Sequence, residues 1–347
     1  MRIMPGEWRK RVAYSLNRIE VRSVKLATLS DGTRDGRLVI VAADQSRAVE
    51  ATAARTLLAA LENWASCEPL LRGQAGQLEA NSQVGSFPFR HNAVRAPLPR
   101  APQWLDASAF RAHSELVAEA WQTPNRFSDD APLMYQGASD DLLPACGPSY
   151  LPDESHDIDL EAEVAVVVDD VPMGTSADAA LEHIKLVMLV NDVSLRAFGP
   201  REQQSGFGFL QAKPSTVFSP LAVTADELGN SWRQGRLHRP VTVRINGAWI
   251  GSPNAGHMAF SFGDLIAHAA KTRRLSAGTI IGSGTVSDPD RSAGSATLVE
   301  LRAVEKLKVG EPKTPFLKFR DRIEIDVLDD DGHSIFGRID HQVLRSD

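Results

Sequence analysis

The run Asp159-Leu-Glu161-Ala-Glu163-Val-Ala-Val-Val constrains this chain more than any other nine residues. Alternate side chains of an extended strand share a face. Leu160, Ala162, Val164 and Val166 therefore make one apolar face, and Asp159, Glu161 and Glu163 make the other. Three carboxylates on one face repel one another unless water or a cation separates them. When buried, they are tolerated only if paired or bound to a metal. Spacing alone leaves two readings open: an acidic edge strand facing solvent, or a carboxylate cluster around a cation.

Two more acids bear on that choice. The apolar run Leu186–Val190 ends abruptly in Asn191-Asp192, and Asp106 follows Trp104-Leu105 in a similar setting. An acid at the exit of a buried run is held in place by the core behind it. Oxygen donors without a cysteine suit Mg²⁺, Mn²⁺ or Ca²⁺ rather than zinc. The two cysteines, Cys67 and Cys146, offer neither a disulfide framework nor zinc spacing, and they suit a reducing, cytoplasmic setting.

At 347 residues the chain is long for one core and suggests two domains. Residues 1–25 are basic (Arg2, Arg9, Lys10, Arg11, Arg18, Arg22, Lys25) and lack an apolar h-region, so they read as an N-terminal extension rather than a secretory signal. Residues 26–100 read as a small N-terminal domain. It has a strand at Leu38–Val41, an amphipathic helix over 47–65 and a proline-rich connection near the boundary at 100. In residues 101–347 the patterns predict strands at Leu160–Val168, Val241–Ile245, Ile280–Val286, Leu298–Arg302 and Ile323–Val327. They predict a helix over Ala179–Val190 behind the cap Ser176. Strands outnumber helices without regular βαβ alternation, so the class is α+β rather than doubly wound.

Several functions are disfavoured. With 38 basic against 44 acidic residues the formal charge is −6, a poor basis for binding nucleic acid or an anionic membrane. The apolar runs are too short to span a bilayer. No Gly-x-Ser-x-Gly elbow and no Gly-Lys-Ser/Thr phosphate loop is present.

From about residue 24 to 345 the ordered motifs resemble the fumarylacetoacetase family. Asp106, with His113 seven residues later, is similar to the family's first metal aspartate and catalytic histidine. Asp159-x-Glu161-x-Glu163 resembles its acidic strand, and Asn191-Asp192-Val-Ser-Leu-Arg196 its Asn-Asp-x-Ser-x-Arg segment. Lys213-Pro-Ser-Thr looks like the lysine loop, and Gly282-Ser-Gly284-Thr285 like the Gly-Thr loop. Glu300 falls where the family places the histidine's partner, and Tyr135 matches a substrate-contacting tyrosine. Two departures stand out. Ser108 occupies a position where the family often has tyrosine, and Gln203 and Gln204 come later than the family's oxyanion glutamine.

The resemblance implies a β-rich mixed β-sandwich roll as the catalytic domain, and a homodimer. It implies a divalent cation (Mg²⁺, Mn²⁺ or Ca²⁺) held by Asp106, Glu161, Glu163 and Asp192. His113 would be the general base, Glu300 its orienting partner, and Arg196 and Lys213 the charge-stabilising cations. Tyr135, Ser108, Gly284 and Thr285 would contact substrate. The implied reaction is hydrolysis of a carbon–carbon bond in a 1,3-diketo acid, foremost fumarylacetoacetate in tyrosine or other aromatic-compound catabolism. An acylpyruvate hydrolase, an oxaloacetate-type decarboxylase, a 2-oxo-enoate hydratase or isomerase, and a non-catalytic metabolite-binding member are the alternatives.

Overall fold

A computed structural model describes residues 23–82 and 84–347. Most of the basic segment, residues 1–22, lies outside the described residues, whereas Val24 and Lys25 are already buried. The core is built on one large mixed sheet. Its central strand is Ala162–Val168, buried at every position, flanked by Ile184–Asn191 on one side and Ile280–Gly282 on the other. Beyond Ile280–Gly282 come Trp104–Ala107, paired in parallel, and then Met134–Gln136. On the other side Ile184–Asn191 leads through Ala222–Val223 to Lys25–Leu29, Arg37–Val41, Arg47–Glu50 and Phe87–Pro88. Strands from before residue 100 thus extend the same sheet that carries the acids.

A second, five-stranded sheet runs in the order Ala248–Gly251, Thr242–Ile245, Arg322–Asp326, Ile339–Arg345 and Cys146–Leu151. The Thr242–Ile245 hairpin turns at Asn246-Gly247, with φ of +52° and +80° at the two turn residues. Positive φ at both positions is the type I′ geometry that the Asn-Gly signal announces. Strands outnumber helices among the described residues, so the α+β expectation stands and the fold is a mixed one with large sheets. No helix among the described residues is long and apolar enough to cross a membrane.

Four local expectations fail, each for a physical reason. The segment 47–65 is not one helix, since Arg47–Glu50 pairs with Arg37–Val41 and helices begin only at Leu57 and Trp64. Helix over Ala179–Val190 stops at Ala180, and Ile184–Asn191 is a strand. A short apolar run buried on both faces has no periodicity to separate helix from strand, and here sheet pairing decides. Leu298–Arg302 opens the helix Leu298–Val309 instead of forming a strand, with Gly310 at φ +91° ending it. The acidic run is also not one strand. Ile158–Asp159 pairs with Ser194–Leu195, the chain breaks at Leu160-Glu161, and the central strand starts at Ala162. With Asp159, Glu161 and Glu163 all buried in mid-structure, the solvent-facing edge strand is excluded.

Gly282 shows how tightly this sheet packs behind the acids. A Cβ there would lie 2.4 Å from Asp106 Oδ1, 2.4 Å from the Trp104 ring and 3.0 Å from Glu163 Oε2. Overpacking a closed core typically costs about 1–3 kcal/mol. Gly282→Ala is therefore expected to lower stability by an amount in that range, checked by urea denaturation, and to splay Asp106 away from Glu163.

Candidate active site

The sheet order explains how acids far apart in sequence meet. Asp106 and Glu163 sit on strands separated by Ile280–Gly282, and the missing side chain at Gly282 lets their carboxyl groups approach across it. Asp192 follows the strand on the opposite flank of Ala162–Val168, where Val190 is registered against Glu163. Asp106, Glu163 and Asp192 bring carboxylate oxygens within 4.8 Å of one another, and all three are buried.

Such a group is costly unless something positive is shared among them. Both oxygens of Glu163 are buried without a hydrogen-bond donor. Burial and the nearby Asp192 push the Asp106 carboxyl up to about 7. Burial and Asp106 hold Glu163 well above the usual carboxylate range. An all-oxygen donor set with an orphaned, buried carboxylate fits a hard divalent cation. Asp192 is further fixed by Thr216, whose hydroxyl donates to Oδ1 at 3.0 Å, and by the Tyr135 hydroxyl, which donates to Oδ2. Burial and Asp192 in turn raise the Tyr135 phenol well above its ordinary value, so it stays a donor.

Glu161 stands beside this triad and is held by cations of the chain itself. Arg196 Nη2 donates to its Oε1 at 2.7 Å and Lys213 Nζ to its Oε2 at 2.5 Å. Lys213 also donates to Asp192 Oδ2 at 2.6 Å. Burial alone would raise the Glu161 carboxyl, but Lys213 and Arg196 outweigh it and hold the group well below the usual range. Burial likewise works against the charge on Lys213, yet Asp192 and Glu161 keep it firmly protonated. The glutamate is positioned through its backbone too, since its N–H donates to Asn191 Oδ1 at 3.0 Å.

His113, on the helix Arg111–Trp121, reaches across 187 residues of sequence to Glu300. Its Nδ1 lies 3.0 Å from Glu300 Oε1, and Glu300 is buried in the first turn of Leu298–Val309. With the carboxylate as acceptor, Nδ1 carries the proton and Nε2 is left free to accept one. Glu300 thus meets His113 from a helix, not from the strand expected over Leu298–Arg302.

A cavity of about 630 Å³ joins these groups. Asp106, Ser108, His113, Tyr135, Glu161, Arg196, Lys213 and Thr285 all line it. Glu163, Asp192, Gly284 and Glu300 lie behind that lining. Gly284 takes φ +76°, donates its N–H to Asp106 Oδ1 at 3.2 Å, and has no room for a Cβ against the Ala107 carbonyl. Gln203 and Gln204 line the cavity despite their late place in the sequence. One contributor carried no usable signal: Phe209 stacks edge-on against Tyr135 at 4.9 Å and lies under the Lys213 ammonium. Asp159, the first acid of the run, is wholly buried and accepts from Arg196.

Fold and site together define an enzyme-like centre built on clustered buried acids, a His–Glu pair and two cations facing one cavity. The model of the Fumarylacetoacetate (FAA) hydrolase C-terminal family matches residues 103–344, and that of Fumarylacetoacetase N-terminal domain 2 matches residues 24–100. The chain belongs to the FAA hydrolase family. Among curated relatives it is 26% identical over 261 residues to oxaloacetate tautomerase YisK of Bacillus subtilis, covering 71% of this chain and 74% of that protein. It is 27% identical over 157 residues to mitochondrial oxaloacetate tautomerase fahd2 of Xenopus laevis, covering 44% of this chain and 47% of that one. The match thus spans about half the length of the frog relative. Fumarylacetoacetase of Caenorhabditis elegans is 28% identical over 247 residues, covering 62% of this chain and 58% of that protein.

Among solved structures, maleylpyruvate hydrolase of Sphingobium sp. SYK-6, in complex with manganese(II) and pyruvate, superposes with a TM-score of 0.61 at 15% identity, covering 93% of this chain and 100% of that one. A 5-carboxymethyl-2-hydroxymuconate delta-isomerase of Mycobacterium smegmatis gives a TM-score of 0.57 at 17% identity, covering 93% and 99%. These structures share the fold.

A cation entering the triad must displace protons from carboxyl groups whose pKa is raised. Mg²⁺ or Mn²⁺ is therefore expected to bind more tightly as pH rises through about 7, where Asp106 ionises, and to raise the melting temperature less below it. Calorimetry in buffers of different ionisation enthalpy should register proton release on binding. Glu163→Gln should abolish both effects.

Proposed function

We propose that this protein is a divalent-metal-dependent enzyme that hydrolyses a carbon–carbon bond in a small 1,3-diketo acid. The single observation that supports this best is the His113–Glu300 pair opening onto the same cavity as Asp106, Glu161, Arg196 and Lys213. A base oriented by a carboxylate suits activation of water. Fumarylacetoacetate and an acylpyruvate of the fumarylpyruvate type are the leading substrates, in aromatic-compound catabolism and with the chain acting as a homodimer.

A cation held by Asp106, Glu163 and Asp192, with Glu161 at their side, would supply Lewis-acid polarisation of the substrate's paired oxygens. His113 Nε2 takes a proton from water as the oxygen adds to the ketone carbon. Glu300 holds the Nδ1–H and stabilises the imidazolium that results. Arg196 and Lys213 stand beside the developing negative charge, where one preorganised donor is typically worth about 2.7–4 kcal/mol. When the carbon–carbon bond breaks, its electron pair goes to the departing carbon as an enolate, and the imidazolium returns the proton.

A second reading has its own support. Relatives named oxaloacetate tautomerases match this chain, and enolisation needs proton transfer but no water attack. Incubation with fumarylacetoacetate, an acylpyruvate and oxaloacetate, each with Mg²⁺ or Mn²⁺, separates the two. Appearance of cleaved acids is expected, and His113→Ala should lower kcat by about 10²–10⁴-fold. Keto–enol exchange of oxaloacetate with no cleavage of any diketo acid would replace the hydrolytic reading by the tautomerase one.

A further inference from the structure

We infer that Asp159 is a positioning residue that locks the helix carrying Glu300 to the arginine at the cavity wall, so that the His113 base and the cationic side of the site are set by one buried carboxylate. The proposal rests on the functional reading of the His113–Glu300 pair.

Asp159 has no solvent exposure, and five donors converge on it. Oδ1 accepts from the N–H groups of Leu160 and Leu298, each at 2.8 Å. Oδ2 accepts from Val299 N–H at 3.0 Å, the Thr297 hydroxyl at 2.8 Å and Arg196 Nε at 2.9 Å. The first N–H groups of a helix have no partner within it and carry partial positive charge. In Leu298–Val309 the residue at the N-cap position is Thr297, whose side chain makes no capping bond of its own. Its hydroxyl turns to Asp159 instead, and Asp159 caps the helix from 138 residues away in the sequence.

The consequence falls on Glu300, one residue beyond the second captured N–H. Its carboxyl must lie within hydrogen-bond reach of His113 Nδ1, and the helix start is what places it there. Arg196 is tied to the same joint twice, by Nε to Asp159 and by Nη2 to the Thr297 hydroxyl at 3.0 Å. The same Nη2 donates to Glu161. Displacing the Asp159 carboxylate therefore loosens the helix start and the guanidinium together. A bond that merely stabilised the fold would not reach the tautomer of a histidine on another helix.

The test uses the full-length protein labelled with ¹⁵N-histidine, with His113 assigned through His113→Gln. Ring ¹⁵N shifts report which nitrogen carries the proton. In wild type the Nδ1–H form should dominate, and Glu300→Gln should raise the Nε2–H form severalfold. Asp159→Ala is expected to shift the balance in the same direction. Asp159→Asn, whose one amide oxygen can still accept the Leu298 N–H but not also the donors on Oδ2, should shift the balance less than Asp159→Ala. Thr297→Val removes two bonds of the joint without changing charge, and should give a smaller shift of the same sign if Asp159→Ala does not fold. A His113 signal unmoved in folded Asp159→Ala, or in Thr297→Val, while Glu300→Gln moves it, would overturn this inference alone. If Glu300→Gln leaves His113 unmoved, the pair itself is refuted and this inference falls with it.

Discussion

Mutual repulsion among buried carboxylates is the constraint around which this structure is arranged. Asp106, Glu163 and Asp192 bring carboxylate oxygens within 4.8 Å of one another, and all three are buried. Each remaining charge in the neighbourhood answers to that fact. Lys213 bridges Glu161 and Asp192, Arg196 bridges Glu161 and Asp159, and Tyr135 and Thr216 donate to Asp192. Only Glu163 keeps both oxygens without a donor among the described residues of the site, which marks where a cation would satisfy the chain. The protein's own cations thus stand on one side, and on the other a buried triad that could hold a hard metal ion.

That division gives the two halves of the cavity different tasks. A hard cation held by the triad would prefer oxygen ligands. On the His113 side the ring lines the cavity and is held through Nδ1 by the buried Glu300. The family includes hydrolases, isomerases and tautomerases, and the same division of labour serves each of them: all must stabilise negative charge on oxygen while a proton moves. What separates them is whether water reaches the carbon, and this makes the surroundings of His113 more telling than the acids.

The acids were legible in the sequence because each sits at the end of an apolar run that had to be buried. Strand alternation set Glu161 and Glu163 on one face, but Glu161 lies just outside the strand Ala162–Val168; the ordered motifs brought in His113, Arg196, Lys213 and Glu300. Less legible was the local form. The pattern predicts helix over Ala179–Val190, most of which is the strand Ile184–Asn191, and strand over Leu298–Arg302, which opens a helix, because short runs carry no period that distinguishes the two. Asp159 was legible only as a neighbour of the acids. Its five donors come from segments around residues 160, 196 and 298, and nothing in spacing announces their convergence.

By itself, the sequence determined the groups available: acids without cysteines, strands enough for an α+β core, and ordered motifs whose resemblance pointed to His113, Glu300, Arg196 and Lys213. Tertiary structure decided how those groups share their charges. It divided the four candidate ligands into a triad and a glutamate claimed by Lys213 and Arg196, and it set Asp159, the acid outside that ligand set, against the first N–H groups of a distant helix. The physical reason is that hydrophobic patterning specifies which residues are buried, whereas the partner of a buried charge is set by whichever strands and helices pack across from it.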